Sequence, residues 1–157
     1  MSQTNYERML QLAEEIFAFK NDPSQLDVNE EVIGRLIRMH PSTVAEHDDG
    51  NGPVAWLLII PTTQPLMERF LACEISEREL FDLTPEDAVY DALYLCSALV
   101  LEECRRKGII RQLAITAIEN IRKDHPLKAL CVWPFSREGD LAAENIAGLV
   151  SLPLYKR

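Results

Sequence analysis

The chain has 157 residues and a formal net charge of −9, from 16 Lys and Arg against 25 Asp and Glu. That length suits one domain, and 47% hydrophobic with 26% charged residues excludes wholesale disorder. The acidic balance excludes nonspecific attachment to nucleic acid or an anionic membrane, which needs a basic face. The charge is unevenly spread. Residues 1–90 carry 6 basic and 17 acidic groups, net −11, whereas residues 91–157 carry 10 basic and 8 acidic, net +2.

The polar start Met1-Ser2-Gln3-Thr4-Asn5 has neither the charged nor the apolar region of a secretory leader. The apolar runs 54–60 and 92–101 are too short to span a bilayer. A cytoplasmic protein is expected. Cys73, Cys96, Cys104 and Cys131 show no metal-ligand spacing and read as reduced, mostly core-filling thiols, with no metal site. Cys104, beside Arg105 and Arg106, would be activated if exposed.

Tyr6, Met9, Leu10, Ala13, Ile16 and Phe17 recur at helical spacing, so a first helix is predicted, ending near Asn21-Asp22-Pro23. Asp27 with Glu30 reads as a capping box for a second, burying Val32, Ile33, Leu36 and Ile37 and stopped by His40-Pro41. Thr43-Val44-Ala45, the turn cluster 48–52 and the apolar run 54–60 predict a β-hairpin whose second strand is central. Residues 61–90 look helical: Pro65 suits a first turn, Ser76 and Glu79 form a capping box, and Thr84-Pro85 opens a further helix. Tyr94 to Leu101 reads as strand, Ile109 to Ile121 as helix, Leu130 to Trp133 as strand and Leu141 to Leu149 as a last helix. Residues 92–133 thus predict a parallel βαβ unit within one mixed α/β or α+β domain, 1–157.

Between that strand and helix lies the one segment suited to a phosphate. Arg105, Arg106, Lys107 and Arg111 place four cations in seven positions, and Gly108 lets backbone approach a ligand. The helix that follows offers unpaired N–H groups and a positive dipole end. Neither a Walker loop nor a G-x-G-x-x-G turn is present.

Val100 through Ile110 resembles motif A of the GNAT superfamily of acyl-CoA N-acyltransferases, Arg/Gln-x-x-Gly-x-Gly/Ala after a hydrophobic strand ending in valine. Arg105, Gly108 and Ile110 stand at the three signature positions, Ile110 replacing a small residue, and Leu113 continues the helix. The order of elements is similar too, apart from the helical insertion at about 61–90, which would be an acceptor-site lid, a homodimer surface or packing. The resemblance implies an acyltransferase moving an acetyl or other acyl group from acyl-CoA to a small-molecule or peptide amine. Arg105, Arg106, Lys107, Gly108, Ile109 and Ile110 would bind pyrophosphate. Val100 would mark the edge along which pantetheine lies, where the motif strand splays from the next. The alternatives are a non-catalytic module for acyl-CoA or another phosphate ligand, and an oligomeric interaction protein.

A tyrosine is often the acid in that family, which makes Tyr155 the candidate here, with Asn145 a loose match to the usual asparagine. Tyr94 reads as core or an acceptor-site wall. Glu102, Glu103, Glu46 and His47 are candidate bases with a solvated alternative, and Glu74 and Glu79 could attract a cationic acceptor. Trp56 and Trp133 read as core.

Overall fold

The computed structural model describes residues 3–19, 26, 29–134 and 136–157. Helices α1 (Asn5–Phe19) and α2 (Glu30–Met39) precede strands β1 (Val44–Asp48) and β2 (Pro53–Thr62). Helices α3 (Gln64–Leu71) and α4 (Glu77–Leu83) lead to β3 (Ala92–Val100), then α5 (Ile109–Asp124), β4 (Ala129–Val132), α6 (Arg137–Val150) and β5 (Leu154–Lys156). The strands form one mixed sheet in the order β1-β2-β3-β4-β5, antiparallel from β1 to β3 and parallel from β3 to β5. The fold is α+β, with the expected hairpin, central second strand and βαβ crossover all present.

Strand alternation divides the core. Leu58, Ile60, Tyr94, Ala129 and Cys131 meet Leu36 and Met39 of α2, Met67 and Phe70 of α3, and Leu80 and Phe81 of α4. On the opposite face Leu57, Ile59, Leu93 and Leu130 pack beneath Ala114, Ile118 and Ile121 of α5 and Ile146 and Val150 of α6. A third cluster joins Met9 of α1 to Val54, Leu99, Leu101 and Cys104. Each face is covered by helices, which explains the near-continuous apolar run of β2.

Several boundaries differ from expectation. Tyr6 and Leu10 of α1 are exposed, as is Ile37 of α2. The side chains of Ile16 and Phe17, the end of α1 at 21–23 and Asp27 lie outside the described residues. Asn29 caps α2, its side chain accepting from the Val32 N–H at 2.9 Å, where Asp27 was expected. Pro61 and Thr62 belong to β2, so the helical segment starts later than 61. Its two helices fill the core, Phe70 and Leu80 being fully buried. The capping box of Ser76 and Glu79 is formed, but no helix starts at Thr84. The Thr84 hydroxyl turns back to the Leu80 carbonyl and to Thr62 Oγ1, and the Tyr90 hydroxyl donates to the carbonyls of Pro85 and Glu86. Side chains satisfy this loop, leaving a helix no energetic advantage there.

Glu77 is a buried carboxylate at the first turn of α4. It accepts from the Leu26 N–H at 2.7 Å and from the Tyr94 hydroxyl, tying the α1–α2 connection and α4 to β3. Burial pushes the Tyr94 phenol far above its ordinary range, so it stays protonated and donates. Tyr94 is core, as one of its two readings held. Replacing it with phenylalanine strands the carboxylate one donor short in an apolar setting. Tyr94→Phe should therefore cost about 2 kcal/mol, read as a lower urea midpoint at unchanged slope.

Candidate functional site

The site begins where two neighbouring strands part. β3 and β4 pair over four positions only, Ala92 with Ala129 through Leu95 with Val132. β4 is followed by Trp133-Pro134, and a proline has no amide to extend a ladder. β3 continues to Val100 against β2, with Val100 opposite Ala55. A bulge at Cys96 shifts that register, since Leu58 faces Ser97 while Ile59 faces Leu95. Bulges bend a strand and increase its twist, which carries β3 away from β4. Beside Ser97 to Val100 the described residues offer no strand on the β4 side, and such backbone groups require another partner.

A cleft occupies the gap. Its outer part, about 880 Å³, lies between Ala98–Val100 of β3, the turn 104–111, and Ser136, Glu138, Leu141 and Asn145 of α6. Its inner part, about 360 Å³, runs past Cys96, Ser97 and Ile110 to Ala142, Trp133 and Pro134. Ala98, Leu99, Ile110 and Ile146 border both parts, so the two are continuous. The outer part is rimmed by cations and the inner part is apolar.

At the mouth the turn is shaped by two left-handed residues. Arg106 has φ +65° and Gly108 φ +74°, bracketing Lys107. An L-residue adopts that region at a cost, which explains why glycine stands at the second position. Gly108 caps α5 without a side-chain bond, and the first α5 bond runs from the Gln112 N–H to the Gly108 carbonyl at 3.0 Å. The N–H groups of Ile109, Ile110 and Arg111 lie in the first turn, with no intrahelical acceptor. Arg105, Arg106, Lys107 and Arg111 are exposed and form no salt bridge among the described residues. The Arg111 guanidinium folds back over Gly108, 2.8 Å from where a Cβ would stand.

The motif residues therefore come together: Val100, Arg105, Arg106, Lys107, Gly108, Ile109 and Ile110 all line the outer cleft. Ile110, half-buried, also reaches the inner part. Asn145 joins them from α6. Tyr155 does not line either part of the cleft; it is half-exposed on the edge strand β5, opposite Cys131.

The candidate bases are dispersed. Glu103 bonds Arg8 of α1, whose guanidinium holds its carboxyl at about 2, far below the usual range. Glu102 is exposed in the short 3-10 turn before the loop. Glu46 accepts from the Trp56 indole at 2.7 Å, and with His47 it borders a separate groove between β1 and α5. Glu74 is exposed beside Arg69, and Glu79 serves its capping box. Cys104 is buried in the third core cluster, so the exposure expected for an activated thiol is absent. Trp133 is half-buried, with Phe70 at 6.2 Å and the Arg157 guanidinium 4.4 Å over its ring. Trp56 is likewise half-buried.

The α6 wall escaped sequence reading, which began that helix at Leu141. α6 starts at Arg137, capped by Ser136, which accepts from the Gly139 N–H at 3.0 Å. Ser136 followed by Glu138 and Asp140 in the first turn was the signal for that start. No cluster suited to a metal ion occurs among the described residues, and no described helix is long and apolar enough to cross a membrane. No family model, curated protein or solved structure matches the chain.

Gly108→Ala should lower stability by about 1 kcal/mol through the left-handed backbone. The loss should persist in an Arg111→Ala background, since removing the neighbouring guanidinium leaves φ unchanged; paired denaturation curves measure both. Among the thiols, exposed Cys73 should react first with a disulfide reagent. Buried Cys131, its thiol pushed up to about 12 by burial, should react only on unfolding.

Proposed function

We propose that the chain binds an acyl thioester of coenzyme A in the cleft beside β3 and transfers the acyl group to an amine. The observation that carries this reading is a single cleft with a cationic mouth and an apolar interior at the parting of two parallel strands. A pyrophosphate suits the mouth, where first-turn amides and four cations converge. A long, weakly polar arm suits the interior, where it can bond the free edge of β3 while lying on Ala142 and Ile146. Coenzyme A joins both halves in one molecule, and the resemblance of Val100 through Ile110 to motif A points the same way.

In such a transfer the neutral amine nitrogen attacks the thioester carbonyl, the C–N bond forms as the C–S bond breaks, and the proton lost by nitrogen ends on the departing thiolate. Val100 and its neighbours on β3 would align the arm, and Arg105 and Lys107 would hold the phosphates. Asn145 stands at the mouth, where it could orient the nucleotide part. A second reading is favoured by one observation. The inner cleft is lined by no carboxylate, imidazole or phenol among the described residues, which also suits a module that binds acyl-CoA without transferring its acyl group.

Isothermal titration with coenzyme A and acetyl-CoA tests both readings, and no heat at millimolar ligand overturns both. Gly108→Glu should abolish binding while far-UV circular dichroism stays close to wild type, because it adds like charge where the phosphates lie. Arg105→Ala and Lys107→Ala should each weaken binding about tenfold, a change of about 1.4 kcal/mol, and less at high salt. Thiol release in the presence of an amine panel separates the readings. Release above the buffer rate supports transfer, and tight binding without release supports the binding module.

A further inference from the structure

Two of the three histidines meet at one junction far from the cleft mouth. His40 ends α2, its own N–H bonded to the Leu36 carbonyl at 3.0 Å, and it opens the 3-10 turn Pro41–Thr43. Its ring Nδ1 accepts from the Ser42 N–H at 3.0 Å, while Nε2 lies 2.7 Å from Asp124 Oδ2 at the end of α5. With Nδ1 accepting, the ring proton sits on Nε2 and is donated to the carboxylate. His125 caps the end of α5, and its Nδ1 accepts from the Tyr90 N–H at 3.2 Å, just before β3. The two rings stand 6.0 Å apart edge to face, and the Tyr90 ring lies 4.8 Å from His125.

Each imidazole therefore spends its lone pair on a backbone amide. A proton on that nitrogen turns an acceptor into a donor aimed at another donor, and the bond is lost. The charges around the two rings are mostly engaged elsewhere. From α2, Arg35 and Arg38 are both held by Glu86 of the 84–91 loop. From that loop, the Tyr90 hydroxyl is bonded to carbonyls, and Asp91 accepts from Gln64. From α5, Asp124 bonds the His40 ring, and no salt bridge among the described residues involves His125.

We propose that His125 forms an acid-released latch, which clamps the C-terminal end of α5 to the start of β3 when neutral and lets go when protonated. Burial, and then the nearness of His40, hold His125 below its ordinary 6.5. A folded value below the unfolded one means that the unfolded chain takes the proton first. The latch thus contributes fully above about pH 6.5 and is lost progressively as the pH falls below it. This inference stands apart from the acyl-transfer reading.

Hydrogen exchange at pH 7.5 and 5.5, corrected for the intrinsic rate, tests it directly. The Tyr90 amide should lose protection about tenfold or more at pH 5.5, while amides of β2 and β3 keep theirs. His125→Gln, whose amide oxygen can accept but does not titrate, should remove the pH dependence at the Tyr90 amide. His47→Gln should leave it in place, since His47 is exposed on β1. Should the glutamine variant fail to fold, ring nitrogen shifts of the wild type decide, with His125 expected to titrate below 6.5. Equal protection at both pH values, or His125 titrating above 6.5, would overturn the latch.

Discussion

β3 and β4 part after only four paired positions, and much of this molecule's distinctive geometry depends on that parting. The ladder between β3 and β4 halts at Leu95 and Val132. The bulge at Cys96 turns β3 aside just beyond that point, and the chain after Pro134 swings back as α6. A gap between parallel strands can be closed by side chains or left open. Here its wall is Gly139, Ala142 and Ala143, too small to fill it. An open strand edge inside a fold leaves its backbone groups to another partner, so the parting that ends the ladder also shapes the cleft.

Charge organises what happens at the mouth of that gap. The protein is acidic as a whole, yet the turn before α5 gathers four cations with no salt bridge among the described residues. One acid beside them, Glu103, is held by Arg8 from α1. The first helix thus closes the third core cluster through Met9 and also pairs one carboxylate next to the cationic turn. Gly108 completes the turn. Its left-handed backbone swings the chain into α5 with the first-turn amides directed outward, a geometry that a side-chain-bearing residue would reach only under strain. The opposite end of α5 is secured differently, through Asp124 and His125, so one helix joins a cationic turn to a pair of titratable rings about 24 Å away along its axis.

Much of this was legible in the residues. Caps and breakers are local, and Ser76 with Glu79, Pro65, and His40-Pro41 each did what short-range chemistry requires. The turn 105–110 was legible for the same reason, because charge, glycine and the helix that follows lie within a few residues. The misreadings share a cause as well. Thr84 carries the pattern of a helix start, but its hydroxyl and the Tyr90 hydroxyl find partners across the fold, which no local pattern encodes. The expected cap at Asp27 gave way to Asn29, a choice between two good caps that local sequence leaves nearly balanced.

By itself, the sequence determined the periodicities: which segments could be helix or strand, that β2 would be buried on both faces, and that the cations would cluster at one strand-to-helix turn. These follow from side-chain chemistry over a few positions. Only the tertiary structure decided which distant groups meet. It brought α6 across from β3 to wall the cleft, left Tyr155 on the outer edge, buried Cys104 and Glu77, and paired His40 with Asp124 across 84 positions of chain. Those outcomes depend on the whole sheet and its helices packing at once, because burial and long-range pairing are energies of the assembled core and not of any window within it.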